Sequence, residues 1–175
     1  MRFIKILYNK IQCILNKNII VDFKSGVNVW KAFKCDKHSR ILAKKISTRK
    51  NCHIEAKKGG CIVLGDNLGI NYNSIISCHK KIIIGNDCLI GPNVMIYDHD
   101  HDYNKKNWRN EYKESEIEIG NNVWICGNVT ILKGSKIGDN CIIGANTLIK
   151  GEVIENNTIV YSDNVHKKRK FERIK

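Results

Sequence analysis

Isoleucine recurs at every sixth residue through the second half of this 175-residue chain, at Ile119, Ile125, Ile131, Ile137, Ile143 and Ile149, and no other feature limits the fold as much. A helix turns every ~3.6 residues, so a period of six would scatter these side chains around it, whereas short strands separated by turns return them to one side. Four residues after each Ile stands Val123, Val129, Ser135, Cys141, Thr147 or Val153, and Gly follows the Ile at Gly120, Gly138 and Gly144. The first half repeats the pattern at Leu64, Ile70 and Ile76, then, after a two-residue slip, at Ile84, Ile90 and Ile96. Each hexad therefore reads as one face of a three-sided coil of eighteen residues. The Ile points inward, the residue four places on fills a narrower space, and Asn, Asp and Gly take the turns. Cys88 and Cys141 fall in the narrow position and read as apolar fillers, not reactive thiols. The alternative is an irregular β-sandwich.

This length gives a single domain. The net charge of +13 comes mostly from Lys spread along the chain, which argues against an Arg-led nucleic-acid patch and leaves an anionic ligand or surface open. Eight cysteines without an export signal point to reduced thiols and a cytoplasmic protein. In "MRFIKILYNKIQCILNKNII" the apolar Ile4, Leu7, Ile11, Ile14 and Leu15 follow helical spacing, but Lys5, Asn9, Lys10 and Gln12 interrupt any membrane span. The expectation is an amphipathic helix over 1–22 with a basic face, capping the domain or resting peripherally on an anionic membrane. A β-solenoid over 23–165, carrying a loop at 102–116, and a basic tail over 166–175 complete the division.

The segments "IGNDCLIGPNVMIYDHDHD" and "IEIGNNVWICGNVTILKGSKIGDNCIIGANTLI" resemble the hexapeptide-repeat acyltransferases, in particular the galactoside and maltose acetyltransferase branch and the O-acetyltransferases of surface polysaccharides. The resemblance covers roughly Leu64 to Val160. It implies an all-β fold, a left-handed parallel β-helix, that departs from the right-handed crossover rule. It also implies a homotrimer and acetyl transfer from acetyl-CoA to a saccharide or other small acceptor, without a metal.

Transfer from a thioester to a hydroxyl needs a base, and "MIYDHDHDYN" offers His99 and His101. Their strand parity is the same, so spacing does not choose between them. The resemblance does: its general base falls on His101 and leaves His99 a supporting or acceptor-side role. Asp98, Asp100 and Asp102 are read as solvated loop residues or as groups that tune the histidines, with Asp98 placed on the acceptor side. Zinc-dependent relatives of the fold use three histidines, two of them in a His-x4-His pair; here the pair is His-x-His and the third, His79, is distant. No metal is expected.

By the same resemblance Asn73 in "GINYNSIIS" binds the acceptor sugar and Asn71 is a weaker candidate; a turn asparagine is the alternative. Tyr103, Trp108, Arg109 and Tyr112 in the loop are placed to stack on or clasp a sugar, or to pack on the next subunit. The resemblance also places Trp124 beside the pantetheine arm, with interface packing as the alternative, has the Gly127 N–H stabilise the thioester oxyanion, and adds Ala145 and Lys150 to the cofactor site. Cys126 replaces the family's usual Gly, but direct transfer in a ternary complex gives its thiol no part. The tail "YSDNVHKKRK" lacks the family's Gly-x-Pro-Ala-Lys-Val closure; Lys167, Lys168 and Arg169 remain candidates for the cofactor's 3′-phosphate, with a solvated basic tail as the alternative. Counting hexads puts Asn73 and His101 on different faces, so a complete site requires a neighbouring chain. Other readings are transfer to an amino sugar or a drug-like alcohol, or a solenoid scaffold without catalysis.

Overall fold

The computed structural model describes residues 17–22, 25 and 32–162. An opening coil contains β1 (Ile19–Val21) and β2 (Phe33–Cys35). Three coils follow: β3 (Arg40–Ala43), β4 (Ile46–Thr48) and β5 (His53–Ala56); β6 (Cys61–Leu64), β7 (Leu68–Ile70) and β8 (Ile75–Cys78); β9 (Lys81–Ile84), β10 (Leu89–Ile90) and β11 (Met95–Tyr97). A ribbon of β12 (His99–His101) and β13 (Tyr112–Glu114) then leaves the stack. The chain rejoins it with β14 (Ile117–Ile119), β15 (Trp124–Ile125) and β16 (Thr130–Leu132), continues through β17 (Lys136–Ile137), β18 (Ile142–Ile143) and β19 (Leu148–Lys150), and closes with β20 (Val153–Ile154) and β21 (Ile159–Val160).

Strands from successive coils pair in parallel, giving three sheets ordered β1-β3-β6-β9-β14-β17-β20, β4-β7-β10-β15-β18-β21 and β2-β5-β8-β11-β16-β19, hereafter the first, second and third faces. This is the three-sided parallel β-helix that the hexads specify. All six isoleucines of the regular series are buried to 3% exposure or less, and Val123, Val129, Ser135, Cys141 and Thr147 are buried beside them. Register puts like on like: Ile96 pairs with Ile76 on one side and Ile131 on the other, and Ile131 with Ile149. Burying one such side chain is worth about 1.5–3 kcal/mol, and the stack repeats it in every coil.

Coil length varies with the sequence. Ile119 pairs with Ile137, eighteen residues on, as the hexads require, but Ile54 pairs with Ile76, twenty-two residues on, so the early coils are longer. The last coil is shorter: Ile137 pairs with Ile154, seventeen residues on. That missing residue corrects the expectation for Val153, which turns outward and is 67% exposed. Of the helix expected over 1–22, residues 1–16 lie outside the described residues. Ile19–Val21 is strand, because three β-branched residues in succession suit a ladder and β3 is there to receive them. The tail at 166–175 also lies outside. Among the described residues no helix is long and apolar enough to cross a membrane.

The corners are fixed by asparagine. Asn51, Asn73, Asn93, Asn128 and Asn146 occupy one corner with φ between 57° and 61°, a left-handed conformation that Asn tolerates. Each side-chain amide donates to the carboxamide oxygen of the next, from Asn51 to Asn73 at 3.2 Å through to Asn128 and Asn146 at 3.2 Å. At another corner backbones approach so closely that a Cβ on Gly85 would sit 2.5 Å from Gly120 O. Asn128→Ala should destabilise the protein by about 1–2 kcal/mol through lost ladder bonds and a left-handed backbone without its preferred residue. Asn128→Gly, which regains the backbone freedom, should cost less; urea unfolding of both variants checks the order.

Candidate active site

The hexad pattern stops at Asp98 and resumes at Ile117. Between them the chain folds back on itself, with His99 opposite Glu114, Asp100 opposite Lys113 and His101 opposite Tyr112. The excursion thus begins before residue 102, as an antiparallel ribbon whose first strand precedes the expected loop and whose second lies within it. On such a ribbon His99, Glu114, His101 and Tyr112 share one side.

Asp98 holds the base of the ribbon. It is completely buried, and both of its oxygens are filled by protein donors. Oδ1 accepts the His79 N–H at 2.8 Å and His99 Nδ1 at 2.9 Å; Oδ2 accepts the Lys80 N–H at 2.7 Å, the Lys81 N–H at 2.8 Å and the Cys78 thiol at 3.2 Å. Burial by itself would raise the carboxyl's pKa, but the His99 bond and the backbone donors outweigh it and hold the group below the usual carboxylate range. Burial and the adjacent Asp98 push the Cys78 thiol well up, so it stays protonated and donates. The acceptor-side role expected of Asp98 is therefore corrected: with every oxygen engaged inward it has none to offer a substrate. Nor is it a solvated loop residue. Asp100 pairs with Lys133 of the next coil and Asp102 with Lys113 at 3.0 Å.

His99 is half-buried, with Nδ1 on Asp98. Its ring lies flat on His79, centroids 3.5 Å apart and planes within 3°. His79 is 7% exposed, its Nδ1 has no hydrogen-bond partner, and Glu114 Oε1 stands 3.5 Å away. Burial, then the proximity of His99 and Lys58, push the His79 pKa down to about 4, so the ring is neutral at neutral pH. Tyr112 meets His79 edge-on at 4.7 Å and lies tilted by 33° against His101 at 4.6 Å, and Lys58 Nζ lies 3.7 Å from the Tyr112 ring centre.

His101 is exposed. Its Nδ1 is 3.1 Å from the carbonyl oxygen of Trp108, whose indole crosses the imidazole edge-on at 5.7 Å. A carbonyl only accepts, so this contact assigns the proton to Nδ1 and leaves the Nε2 lone pair toward solvent. Tyr103 is exposed beside Lys113, and Arg109 stacks near Trp108 at 5.3 Å.

Asn71, Asn73, Trp124, Gly127 and Ala145 lie along a different edge of the prism. Asn73 is in the corner ladder, its oxygen taken by Asn51 and its amide given to Asn93, the structural role that the sequence left as its alternative. Asn71 Oδ1 accepts the N–H of Tyr72. Trp124 is 49% exposed on the outer second face, in register with Leu89 and Ile142. Gly127 and Ala145 are corner residues above Pro92. The Gly127 carbonyl accepts the Asn146 N–H, and no described residue takes the Gly127 N–H. Pro92 in the coil below has no N–H at all, so the corner does not require that donor. Lys150 is exposed on the third face, in register with Leu132. Lys167, Lys168 and Arg169 lie outside the described residues. Among those described, no group of three or more His, Cys, Asp or Glu is placed to hold a metal ion.

His79 was missed as a member of this cluster. Its signal was the coil length: it precedes His99 by the same twenty residues that separate the paired Ile76 and Ile96.

A model of the bacterial transferase hexapeptide (six repeats) family matches residues 116–151. The chain is 34% identical to a maltose O-acetyltransferase from Clostridium difficile 630, with a TM-score of 0.60 over 74% of this chain and 68% of that one. It is 28% identical to the hexapeptide-repeat acetyltransferase VCA0836 of Vibrio cholerae in complex with acetyl coenzyme A, with a TM-score of 0.52 over 65% and 64% of the two chains. The galactoside O-acetyltransferase of Escherichia coli K12 is 39% identical over 90 residues, 51% of this chain and 44% of that protein. The chain thus spans about half the length of the curated relatives it matches.

Because the Asp98 carboxyl is held below its unfolded value of about 3.9, its contribution is complete above that pH and is lost as pH falls through the lower folded value. Asp98→Ala should cost about 3 kcal/mol or more at pH 7 by orphaning buried donors. In denaturant unfolding followed from pH 6 down to pH 2, the difference between variant and wild type should shrink only below about pH 4.

Proposed function

The chain belongs to the hexapeptide-repeat acyltransferase family, and from that premise we propose that it is an acetyl-CoA-dependent O-acetyltransferase acting on a sugar hydroxyl, with His101 as general base. One observation carries the choice of base: His101 is exposed, with Nδ1 tied to the Trp108 carbonyl and Nε2 free to take a proton. His99 is tied at Nδ1 as well, but is covered by His79 and sits deeper.

In this reading Nε2 of His101 removes the acceptor hydroxyl proton as the oxygen attacks the thioester carbonyl. The oxyanion that forms accepts the Gly127 N–H, a fixed donor that the corner does not otherwise use. Collapse expels the coenzyme A thiolate, and the imidazolium returns the proton to sulfur. Trp124 with Leu89 and Ile142 gives an apolar strip for the pantetheine arm. Tyr103 and Trp108 supply aromatic surface for a sugar ring.

His101 and Gly127 belong to different edges of the prism, so the acting site takes its base from one protomer and its cofactor surface from another, which makes the assembly a homotrimer. The acceptor is placed in surface polysaccharide synthesis, where a chain of net charge +13 suits anionic glycans as well as coenzyme A phosphates. Seven described cysteines, all free, agree with a reducing cytoplasmic setting.

His101→Ala should lower acetyl transfer to a sugar panel by on the order of 100-fold with the fold intact, and His99→Ala by less. The reverse order would move the base to His99. Light scattering should give three chains per particle, and an active monomer would end the shared-site reading. Coenzyme A affinity should fall with added salt, since screening acts over about 8 Å at physiological ionic strength; titration calorimetry at two salt concentrations measures it.

A further inference from the structure

We propose that His79 is a positioning residue for the general base, its ring clamping His99 and Tyr112 so that the ribbon presents His101 in one orientation. The inference rests on the reading of His101 as the base.

His79 belongs to the coil, not to the ribbon. It follows β8, its N–H is bonded to Asp98, and its side chain is buried. The two ribbon strands both lean on it: His99 of β12 lies flat against it at 3.5 Å, and Tyr112 of β13 meets it edge-on at 4.7 Å. Tyr112 is the cross-strand partner of His101 and touches its ring at 4.6 Å. A line of ring contacts thus runs from the rigid solenoid to the exposed imidazole. Lys58 at 3.7 Å from Tyr112 and Lys133 on Asp100 hold the same ribbon from the coils on either side.

The chemistry of His79 fits a plate better than a proton carrier. Its Nδ1 is buried without a hydrogen bond, and its environment keeps it neutral at working pH. What the neighbours use is its flatness and its fixed place. An exposed base on a two-stranded ribbon would otherwise sample many orientations, and a displacement of about 1 Å at a reacting group can lower a rate by about 100-fold.

The test is a cycle of His79 and His101 variants assayed for kcat and for KM of both substrates. His79→Ala should lower kcat about tenfold with both KM values unchanged. His79→Phe, which keeps a flat ring and loses both nitrogens, should stay within about twofold of wild type. In the His101→Ala background, His79→Ala should cost nothing further, because its effect passes through His101. Should the Ala variant not be recovered folded, His79→Leu fills the volume without a flat ring and should show the same loss. An equal loss in both backgrounds, or a Phe variant as poor as Ala, overturns the positioning role while leaving His101 as the base. Full activity in His101→Ala alone removes the base assignment, and the inference with it.

Discussion

Stacking of one inward isoleucine on another, coil over coil, is the contact on which the rest of the molecule depends. Ile76, Ile96, Ile131 and Ile149 form one such column, and the other two faces have their own. Each strand is two to four residues long and most bury only one or two side chains, too little to persist alone. Parallel pairing with the coils on either side supplies its backbone bonds and closes its share of the core at once. The corners add the second constraint. A ladder of asparagines at φ near 60° lets the chain turn tightly while linking each coil to the next.

That regularity makes the ribbon conspicuous. Thirty-five residues separate Ile96 from its partner Ile131, and the surplus over one coil is spent on the excursion that carries His101. The solenoid does not leave it loose. Asp98 collects three consecutive backbone N–H groups at its base, His79 and Lys58 bear on its rings, and Lys133 pairs with Asp100. Placing the proposed base on a braced arm would combine access to substrate with restricted orientation, the combination that acid–base catalysis needs.

The two halves of the proposed chemistry lie on different prism edges. Trp124, Gly127 and Ala145 follow the second face and its corner into the third, whereas His101 stands at the corner from the third face into the first. A three-sided rod with short, flat faces suits side-by-side assembly, in which the edge of one copy meets a different edge of the next. Asn73 sits in the corner ladder and is tied up in structural bonds on both sides. A contact from it to an acceptor would have to come at the expense of that ladder.

The fold was legible because a six-residue period has few physical solutions, and Ile119 through Ile149 repeat it without interruption. Coil lengths were less so. Val153 fits the pattern yet faces out, since the last coil drops a residue that only the register with Lys136 reveals. Within "YDHDHD" the sequence supplied the residue types and the even spacing that makes His99 and His101 equivalent in a strand. Depth separated them, and depth came from tertiary contacts: Asp98 turned inward to cap the Lys80 and Lys81 N–H groups, drew His99 after it onto His79, and left His101 outside on the Trp108 carbonyl. The sequence determined the period, and with it the core and the turns, because those depend on neighbours a fixed distance along the chain. The roles within the histidine cluster depend on neighbours one coil away, where the separation is set by coil length and not by any local motif.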